Sequence, residues 1–105
     1  MNRLLVLTLL IPFLFSCGDS ADDARMDTVL ALSSDLENGK TTYGTNCAAC
    51  HGADGGGTSL GSNIKSENNA SDLLQVVLEG KDTMRSYADL SDQELADVTA
   101  YAQSL

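Results

Sequence analysis

The chain has 105 residues and a formal net charge of −9; 43% of its residues are hydrophobic, but only 5% are aromatic and none is tryptophan. This length allows one small domain, and nothing in it suggests a second. The acidic balance argues against nucleic acid and bare anionic lipid as partners of the protein surface, because both would be repelled. A domain with so few large side chains needs a staple or a cofactor to be stable.

The first sixteen residues have the pattern of an export signal peptide. Arg3 provides the positive start, and the run from Leu4 to Phe15 contains no charge. This run is shorter than the ~20 apolar residues that cross a bilayer. A buried core helix is the alternative, but a uniformly apolar stretch behind a basic N-terminus favours export. Cleavage removes Arg3 and changes the net charge from −9 to −10.

Cys17 follows the apolar run in a context, Leu-Phe-Ser-Cys-Gly, that resembles the lipobox of bacterial lipoproteins. Cleavage after Gly18 is the alternative, since Ser16 and Gly18 satisfy the small-residue rule of secretory signals. Lipidation also explains an odd cysteine in an exported protein. We therefore predict a lipoprotein signal peptide over residues 1–16 and a protein anchored through Cys17 to a membrane, at its periplasmic or other extracytoplasmic face.

Residues 17–34 are rich in Asp, Ala and Ser and are predicted to form a lipid-anchored acidic tether ahead of the domain. The first half of this segment has the composition of a flexible chain. Val29, Leu30 and Leu32 in the second half suit the start of a helix. The boundary of the domain, placed at residue 35, is therefore open by several residues.

Three helices are predicted between residues 34 and 105, and no alternating strand pattern lies between them. Ser34 and Glu37 have the spacing of a capping box, which predicts a first helix that extends to about Tyr43. The stretch over residues 52–70 is a loop by composition. The domain is thus predicted to be all-α.

The second helix is predicted over residues 71–79, with Ser71 as its N-cap and Gly80 at its end. Ser91 and Glu94 form a further capping box, which begins the third helix. The third helix carries an apolar stripe at helical spacing. That stripe consists of Leu95, Val98, Tyr101 or Ala102, and Leu105.

The string Cys-Ala-Ala-Cys-His over residues 47–51 contains the chain's single histidine. Two cysteines separated by two residues and followed directly by histidine match the spacing that attaches a c-type haem. In that chemistry Cys47 and Cys50 add to the two vinyl groups, and His51 presents a neutral imidazole to the iron. The other imidazole nitrogen normally donates to a carbonyl, which fixes the tautomer.

Two other chemistries use similar residues. A thioredoxin-like dithiol also has Cys-x-x-Cys, but it requires a preceding strand and usually a cis-proline, and the chain's one proline, Pro12, lies in the signal peptide. A structural zinc site requires four ligands, whereas Cys47, Cys50 and His51 supply three. Export, small size and spacing together favour haem.

The sixth ligand of the iron cannot be a second histidine, because the chain has none. Met26 and Met84 are the methionines that remain after cleavage. Met26 lies in the predicted tether, whereas Met84 lies 33 positions after His51 in the loop between the second and third helices. A thioether ligand favours ferrous iron and raises the potential. The alternatives are a core-filling role for Met84, a lysine ligand, or an open site.

From about Leu36 to Leu105 the chain resembles a class I monohaem c-type cytochrome. The resemblance implies an all-α fold with three main helices around one covalently bound haem c, in a domain spanning residues 35–105. It also implies that the first and last helices cross, with Gly39 admitting an aromatic such as Tyr101. The matching features are Asn38-Gly39-Lys40 with Tyr43, CAACHG, Asp54-Gly55, Leu73 to Gly80 before Met84, and Leu90 to Leu95.

Two departures from the family pattern concern proline. The family usually has proline directly after the ligand methionine, where this chain has Arg85. It also commonly has a proline after the haem motif whose carbonyl accepts the histidine N–H, and this chain has none there. A different carbonyl, from the loop between Thr58 and Asn63, is expected to take that role.

A haem with both axial positions filled has no vacant site for substrate, so the predicted function is one-electron transfer in a respiratory or related chain. We predict no enzymatic activity, since Asp54, Asp72 and Asp82 are best interpreted as a solvated acidic surface. The alternative is a haem-based sensor or small-ligand-binding module with a labile sixth ligand.

The predicted partners are redox proteins with a basic docking surface, and the rate of association is expected to fall as salt rises. Lys81 and Arg85 flank Met84 on the otherwise acidic chain. Either these two residues form a local docking patch, or they offset Glu79 and Asp82.

Overall fold

The computed structural model describes residues 21–105, so the predicted signal peptide and Cys17 lie outside the described residues. The described part is helical, as predicted, and contains no β-strand; a single isolated bridge joins Lys81 and Met84. The helices are α1 (Ala21–Leu30), α2 (Leu36–Asn46), α3 (Ala48–His51), α4 (Ala70–Glu79) and α5 (Asp92–Gln103).

Helix α1 occupies part of the segment predicted as a flexible tether. Its Val29 is 1% exposed and lies in the hydrophobic core. Arg25 Nε donates to Asp92 Oδ1 at 2.8 Å, and its two terminal nitrogens donate to the carbonyls of Ala88 and Leu90, each at 2.6 Å. These partners lie far along the chain, so local composition does not reveal them. Residues Ala21–Leu30 are therefore a packed helix instead of a flexible chain.

Helix α2 begins one residue later than predicted. Its N-cap is Asp35, not Ser34, because the Asp35 carboxylate accepts the backbone N–H groups of Glu37 and Asn38 at 2.9 and 3.2 Å. A carboxylate at this position also interacts favourably with the positive end of the helix dipole. The helix continues beyond Tyr43 to Asn46, which brings its end directly against Cys47.

Helix α4 begins one residue earlier than predicted, and its N-cap is Asn69 in place of Ser71. The Asn69 side chain accepts the N–H of Asp72 at 3.1 Å, which satisfies one of the unpaired donors of the first turn. The helix ends at Gly80, as predicted, where φ is 75°. A Cβ at this position would also lie 2.6 Å from the carbonyl oxygen of Met84.

Helix α5 starts as predicted. Ser91 Oγ accepts the N–H of Glu94 at 3.1 Å, and Glu94 Oε1 accepts the N–H of Ser91 at 3.2 Å, which completes the capping box. The helix packs against α1, α2 and α4, so it is the central element of the domain. The buried core consists of Val29, Leu74, Leu78, Leu95 and Ala96.

The crossing of α2 and α5 also matches the expected close approach at Gly39. A Cβ added to Gly39 would lie 2.8 Å from Tyr101 Cβ, which is closer than real Cβ contacts. One turn along, the rings of Tyr43 and Tyr101 meet with centroids 5.4 Å apart. None of the helices α1 to α5 is long and apolar enough to cross a membrane.

Candidate haem site

A cavity of about 1170 Å³ lies between α3, the loop that follows it, α4 and α5. Cys47, Cys50 and His51 border this cavity from one side, and Met84 borders it as well. Residues 33 to 37 positions apart in sequence thus face the same space. The structure brings together the four side chains that the sequence assigns to the haem and its iron. The other candidate methionine, Met26, packs instead against the hydrophobic core.

The two cysteines are placed by the break between α2 and α3. The N–H of Cys47 donates to the Tyr43 carbonyl at 2.8 Å and ends α2, while the Cys47 carbonyl accepts the N–H of His51 at 3.0 Å and begins α3. The single turn of α3 therefore carries Cys50 and His51 on a fixed backbone.

The two thiols are free and do not form a disulfide. Burial, followed by the charge of Cys50, raises the pKa of the Cys47 thiol to about 11. A redox-active dithiol requires a lowered thiol pKa, so this environment does not suit a thioredoxin-like function. No group of three or more metal-ligating His, Cys, Asp or Glu side chains occurs in residues 21–105, which does not suit a structural zinc site.

His51 is oriented by a backbone carbonyl. Its Nδ1 lies 2.8 Å from the carbonyl oxygen of Ser62. A carbonyl only accepts, so Nδ1 carries the proton and donates, which leaves Nε2 unprotonated and able to bind iron. Ser62 lies within the loop between Thr58 and Asn63, so the expected replacement for the family's proline carbonyl is found there.

The loop that contains Ser62 is tied closely to α3. Thr58 Oγ1 donates to the Cys50 carbonyl at 2.6 Å, and the N–H of Gly57 donates to the His51 carbonyl at 2.7 Å. Gly61 packs so closely that a Cβ there would lie 2.7 Å from the carbonyl oxygen of Cys50. These contacts fix the position of the carbonyl that orients His51.

Met84 lies at the end of a tight turn after α4. Lys81 N–H donates to the Met84 carbonyl at 3.1 Å, and Met84 N–H donates to the Lys81 carbonyl at 2.8 Å. Asp82, within the turn, has a φ of 53°, which is uncommon for a residue other than glycine. The turn and the segment that carries Met84 border the cavity.

The walls of the cavity suit an amphipathic macrocycle. Apolar side chains of α4 and α5 form its inner surface, and polar residues lie at its rim. Thr99 Oγ1 also borders it and, among the buried side-chain polar atoms of residues 21–105, has no hydrogen-bond partner. The volume, the donor set and this unpaired hydroxyl fit a bound haem. The apolar wall consists of Leu73, Val76, Val77, Val98 and Ala102.

Arg85, one of the two basic residues beside Met84, forms an ion pair with a nearby carboxylate. Arg85 Nη1 lies 3.1 Å from Asp89 Oδ1 in an exposed ion pair. The hydrogen bond that Arg85 donates to Asp89 raises the pKa of Arg85, and the same bond lowers the pKa of Asp89. Asp89 therefore offsets Arg85, whereas Glu79 and Asp82 were the residues named in one of the two alternatives left open by the sequence.

Two tyrosines border the cavity: Tyr43, which the sequence identified only as a feature shared with the family, and Tyr87, which sequence reasoning missed. Tyr43 is 2% exposed and donates its hydroxyl to the Gly52 carbonyl at 2.7 Å; burial, followed by the charge of Cys47, raises its pKa. Tyr87 donates its hydroxyl to the Asn46 carbonyl at 2.8 Å. No local pattern in the sequence marks Tyr87, because its hydroxyl partner lies 41 positions earlier in the chain.

Comparison with known proteins places the same residues within one family. Residues 34–101 match a family model described as cytochrome C oxidase, cbb3-type, subunit III. The chain is 33% identical over 82 residues to a cytochrome c6 of Cyanidium caldarium, covering 71% of this chain and 75% of the relative. It is 33% identical over 86 residues to a cytochrome c-553-like protein of Synechocystis sp., covering 79% and 81% of the two chains.

Solved structures show the same fold. Cytochrome c6 of the diatom Phaeodactylum tricornutum aligns with a TM-score of 0.58 at 27% identity, covering 68% of this chain and 93% of the other. Cytochrome CL of the methylotrophic bacterium Methylophaga aminisulfidivorans aligns with a TM-score of 0.58 at 20% identity, covering 84% and 70%. The second similarity shows the fold alone.

Proposed function

Since this chain belongs to the family of small monohaem c-type cytochromes, we propose that Cys47 and Cys50 form the thioether bonds to its haem and that His51 and Met84 are the axial ligands. The protein is an electron carrier with one covalently bound haem c, and it is not an enzyme. The observation that supports the four assignments is the single cavity that all four side chains border.

The bound haem supplies one reversible electron, as its iron alternates between the ferrous and ferric states. The chain's contribution is to attach, orient and shield this group. Ser62 holds the His51 ring through Nδ1, and the turn at Lys81 presents Met84. The apolar side chains of α4 and α5 exclude water from the site, which is one of the means by which proteins set a haem potential.

A pair of methionine variants tests the proposed ligation. In protein matured with covalent haem, Met84→Leu should abolish the far-red absorption band of ferric iron bound to methionine sulfur. Met26→Leu is the matched control and should retain the band, because Met26 packs in the core. Retention of the band in Met84→Leu would show that Met84 is not the ligand. Replacement of Cys47 and Cys50 together by Ala should eliminate covalent haem.

The alternative of a haem-based sensor with a labile sixth ligand is not favoured, because the matched relatives are cytochromes of the c6 type. Carbon monoxide separates the two functions. The reduced carrier should bind it slowly, since Met84 must leave first, whereas a sensor would bind it at once.

The carrier works with redox partner proteins, and we propose that these partners present a basic surface. The support is the net charge of −9, because an acidic protein attracts a basic partner over distances up to the Debye length. Stopped-flow electron transfer with a basic redox protein should slow steeply between 20 and about 200 mM salt. A rate that does not change with salt would exclude steering by net charge.

We also propose that the protein is exported and anchored through a lipid on Cys17. Export is consistent with the apolar run before Cys17. Four peptide steps separate Cys17 from Ala21, so even a fully extended connection spans at most about 14 Å. Because α1 packs on the domain, the haem domain of residues 35–105 would then stay close to the membrane.

Labelling with a fatty acid and membrane fractionation test the anchor. The wild-type protein should incorporate the label and sediment with membranes. Cys17→Ser should lose the label and be released, while its haem content stays the same. Absence of label in the wild-type protein would favour cleavage after Gly18 instead.

A further inference from the structure

Arg85 stands where the family usually has a proline, and its side chain does not extend freely into solvent. Its guanidinium carbon lies 3.8 Å above the centre of the Tyr87 ring. The same guanidinium donates through Nη1 to the Ser86 carbonyl at 2.8 Å and to Asp89 at 3.1 Å. A planar cation held from three directions over an aromatic face restrains that ring.

Tyr87 connects three parts of the cavity wall. Its backbone N–H donates to the Val77 carbonyl on α4 at 2.7 Å. Its hydroxyl donates to the carbonyl of Asn46, 41 positions earlier in the chain, at 2.8 Å. Asn46 is the last residue of α2 and directly precedes Cys47. The hydroxyl therefore joins the segment that follows Met84 to the residue before the first haem cysteine.

The other bonds of this segment hold it to α4. Ser86 Oγ donates to the Leu78 carbonyl at 2.5 Å, and the Lys81–Met84 pair closes the turn at the end of the helix. These contacts fix where the segment begins. They do not reach α2, as the Tyr87 hydroxyl does.

We propose that Tyr87 is a positioning residue that closes the cavity beside Met84 and holds Met84 toward the iron, and that Arg85 restrains the Tyr87 ring. The two side chains supply the restraint that the family obtains from proline, whose ring fixes φ and limits the alternative conformations of the loop. This inference rests on the proposed His51 and Met84 ligation. Loss of the hydroxyl should leave the bonds between the segment and α4 intact. It should allow the part of the segment near α2 to move away from the cavity more often.

Binding of imidazole to the ferric holoprotein measures this opening, because imidazole enters the sixth position only as the Met84 sulfur leaves it. Tyr87→Phe removes the hydroxyl and keeps the ring. A hydrogen bond of ordinary net strength corresponds to about a fivefold change in an equilibrium, so imidazole affinity should rise about fivefold. Arg85→Ala should raise it about twofold, since an exposed cation–π contact is weaker.

Tyr43→Phe is the matched control. It also removes a tyrosine hydroxyl bonded to a backbone carbonyl, Gly52 at 2.7 Å, but on the histidine side of the cavity. It should lower thermal stability as Tyr87→Phe does and leave imidazole affinity within twofold of wild type. A merely structural role of Tyr87 predicts that both variants change imidazole affinity equally.

Rescue by the family's own residue is the second test. Arg85→Pro placed in the Tyr87→Phe protein should return imidazole affinity toward the wild-type value. Proline restrains the segment even when the hydrogen bond of the Tyr87 hydroxyl is absent. If imidazole affinity is unchanged in Tyr87→Phe and the far-red band is present in wild type, the positioning role of Tyr87 is wrong. The proposed ligation by Met84 is not affected by that result. If that band is absent in wild type, Met84 is not the ligand, and the proposed role of Tyr87 is wrong as well.

Discussion

Gly39 of α2 lies directly against the Asp97 peptide of α5, at the point where the two helices cross. Asp97, which is 2% exposed, extends from the same turn of α5 and accepts the backbone N–H of Asp35 at 2.8 Å. Two neighbouring contacts, one steric and one polar, thus fix how α2 packs on α5. Cys47 is the C-cap of α2, so this crossing also positions the residue proposed to form the first thioether bond.

Gly39→Ala should destabilise the holoprotein by about 2 kcal/mol or more, because the added Cβ would overlap the Asp97 carbonyl oxygen and force the helices apart. The matched control is Gly44→Ala on the same helix, where a Cβ meets nothing within 4 Å. Alanine is the better helix former, so this variant should gain up to about 1 kcal/mol. Thermal unfolding followed by circular dichroism measures both. Equal stability of the two variants would show that the crossing is not tight.

Asp97→Ala should cost about 2 kcal/mol, because it leaves the part-buried N–H of Asp35 without its acceptor and removes one of the two acceptors of the Gln93 side-chain amide. Asp97→Asn retains an oxygen in the same place and should cost about 1 kcal/mol. Denaturant unfolding of the two holoproteins provides the comparison. If Asp97→Asn were as destabilising as Asp97→Ala, the negative charge and not the acceptor would be the important property.

The parts of this fold that could be predicted from sequence are those with short-range causes. The capping box at Ser91 identified the start of α5, because the two residues that form it are three positions apart. The N-caps of α2 and α4 lie one and two residues from their predicted positions: Asp35 instead of Ser34, and Asn69 instead of Ser71. All four residues can cap a helix, so the local sequence does not distinguish between them.

Helix α1 could not be predicted as part of the domain because its support comes from distant residues. Its composition is acidic, and the Asp92 partner of Arg25 is 67 positions away. The covalent haem was predictable because attachment chemistry requires a fixed spacing of cysteine and histidine. Tyr87 was not, since its hydroxyl partner lies 41 positions earlier and leaves no local pattern.

Asp54 should make the loop after the haem motif sensitive to acid. The backbone N–H of Gly56, followed by the charge of Lys65, lowers the pKa of this exposed carboxyl below its ordinary value. A carboxylate with a lowered folded-state pKa contributes stability above its unfolded-state pKa of about 3.9 and loses it as pH falls through the lower folded value. Asp54→Asn should therefore be slightly less stable than wild type at pH 7, and this difference should shrink as pH falls below the unfolded-state pKa and vanish once pH is below the lowered folded-state pKa.

Lys65→Gln separates the two causes of the Asp54 shift. It removes the ion pair, whose atoms are 3.6 Å apart, and retains the 2.9 Å bond from Gly56. Its effect should be smaller than that of Asp54→Asn and should disappear in high salt, which screens exposed charges. Melting temperatures measured from pH 2 to about 7 test both variants. A stability difference between Asp54→Asn and wild type that stays constant across this range would contradict the assignment.

Val29→Ala should show that α1 belongs to the folded domain. Removal of two buried methyl groups from the core should cost about 2 kcal/mol. Thr28→Ala is the matched control, because it shortens a β-branched side chain of similar size on the exposed face of the same helix. It should change stability by less than about 0.5 kcal/mol. Denaturant unfolding of the holoproteins makes the comparison, and equal midpoints for the two variants would mean that α1 does not pack on the core in solution.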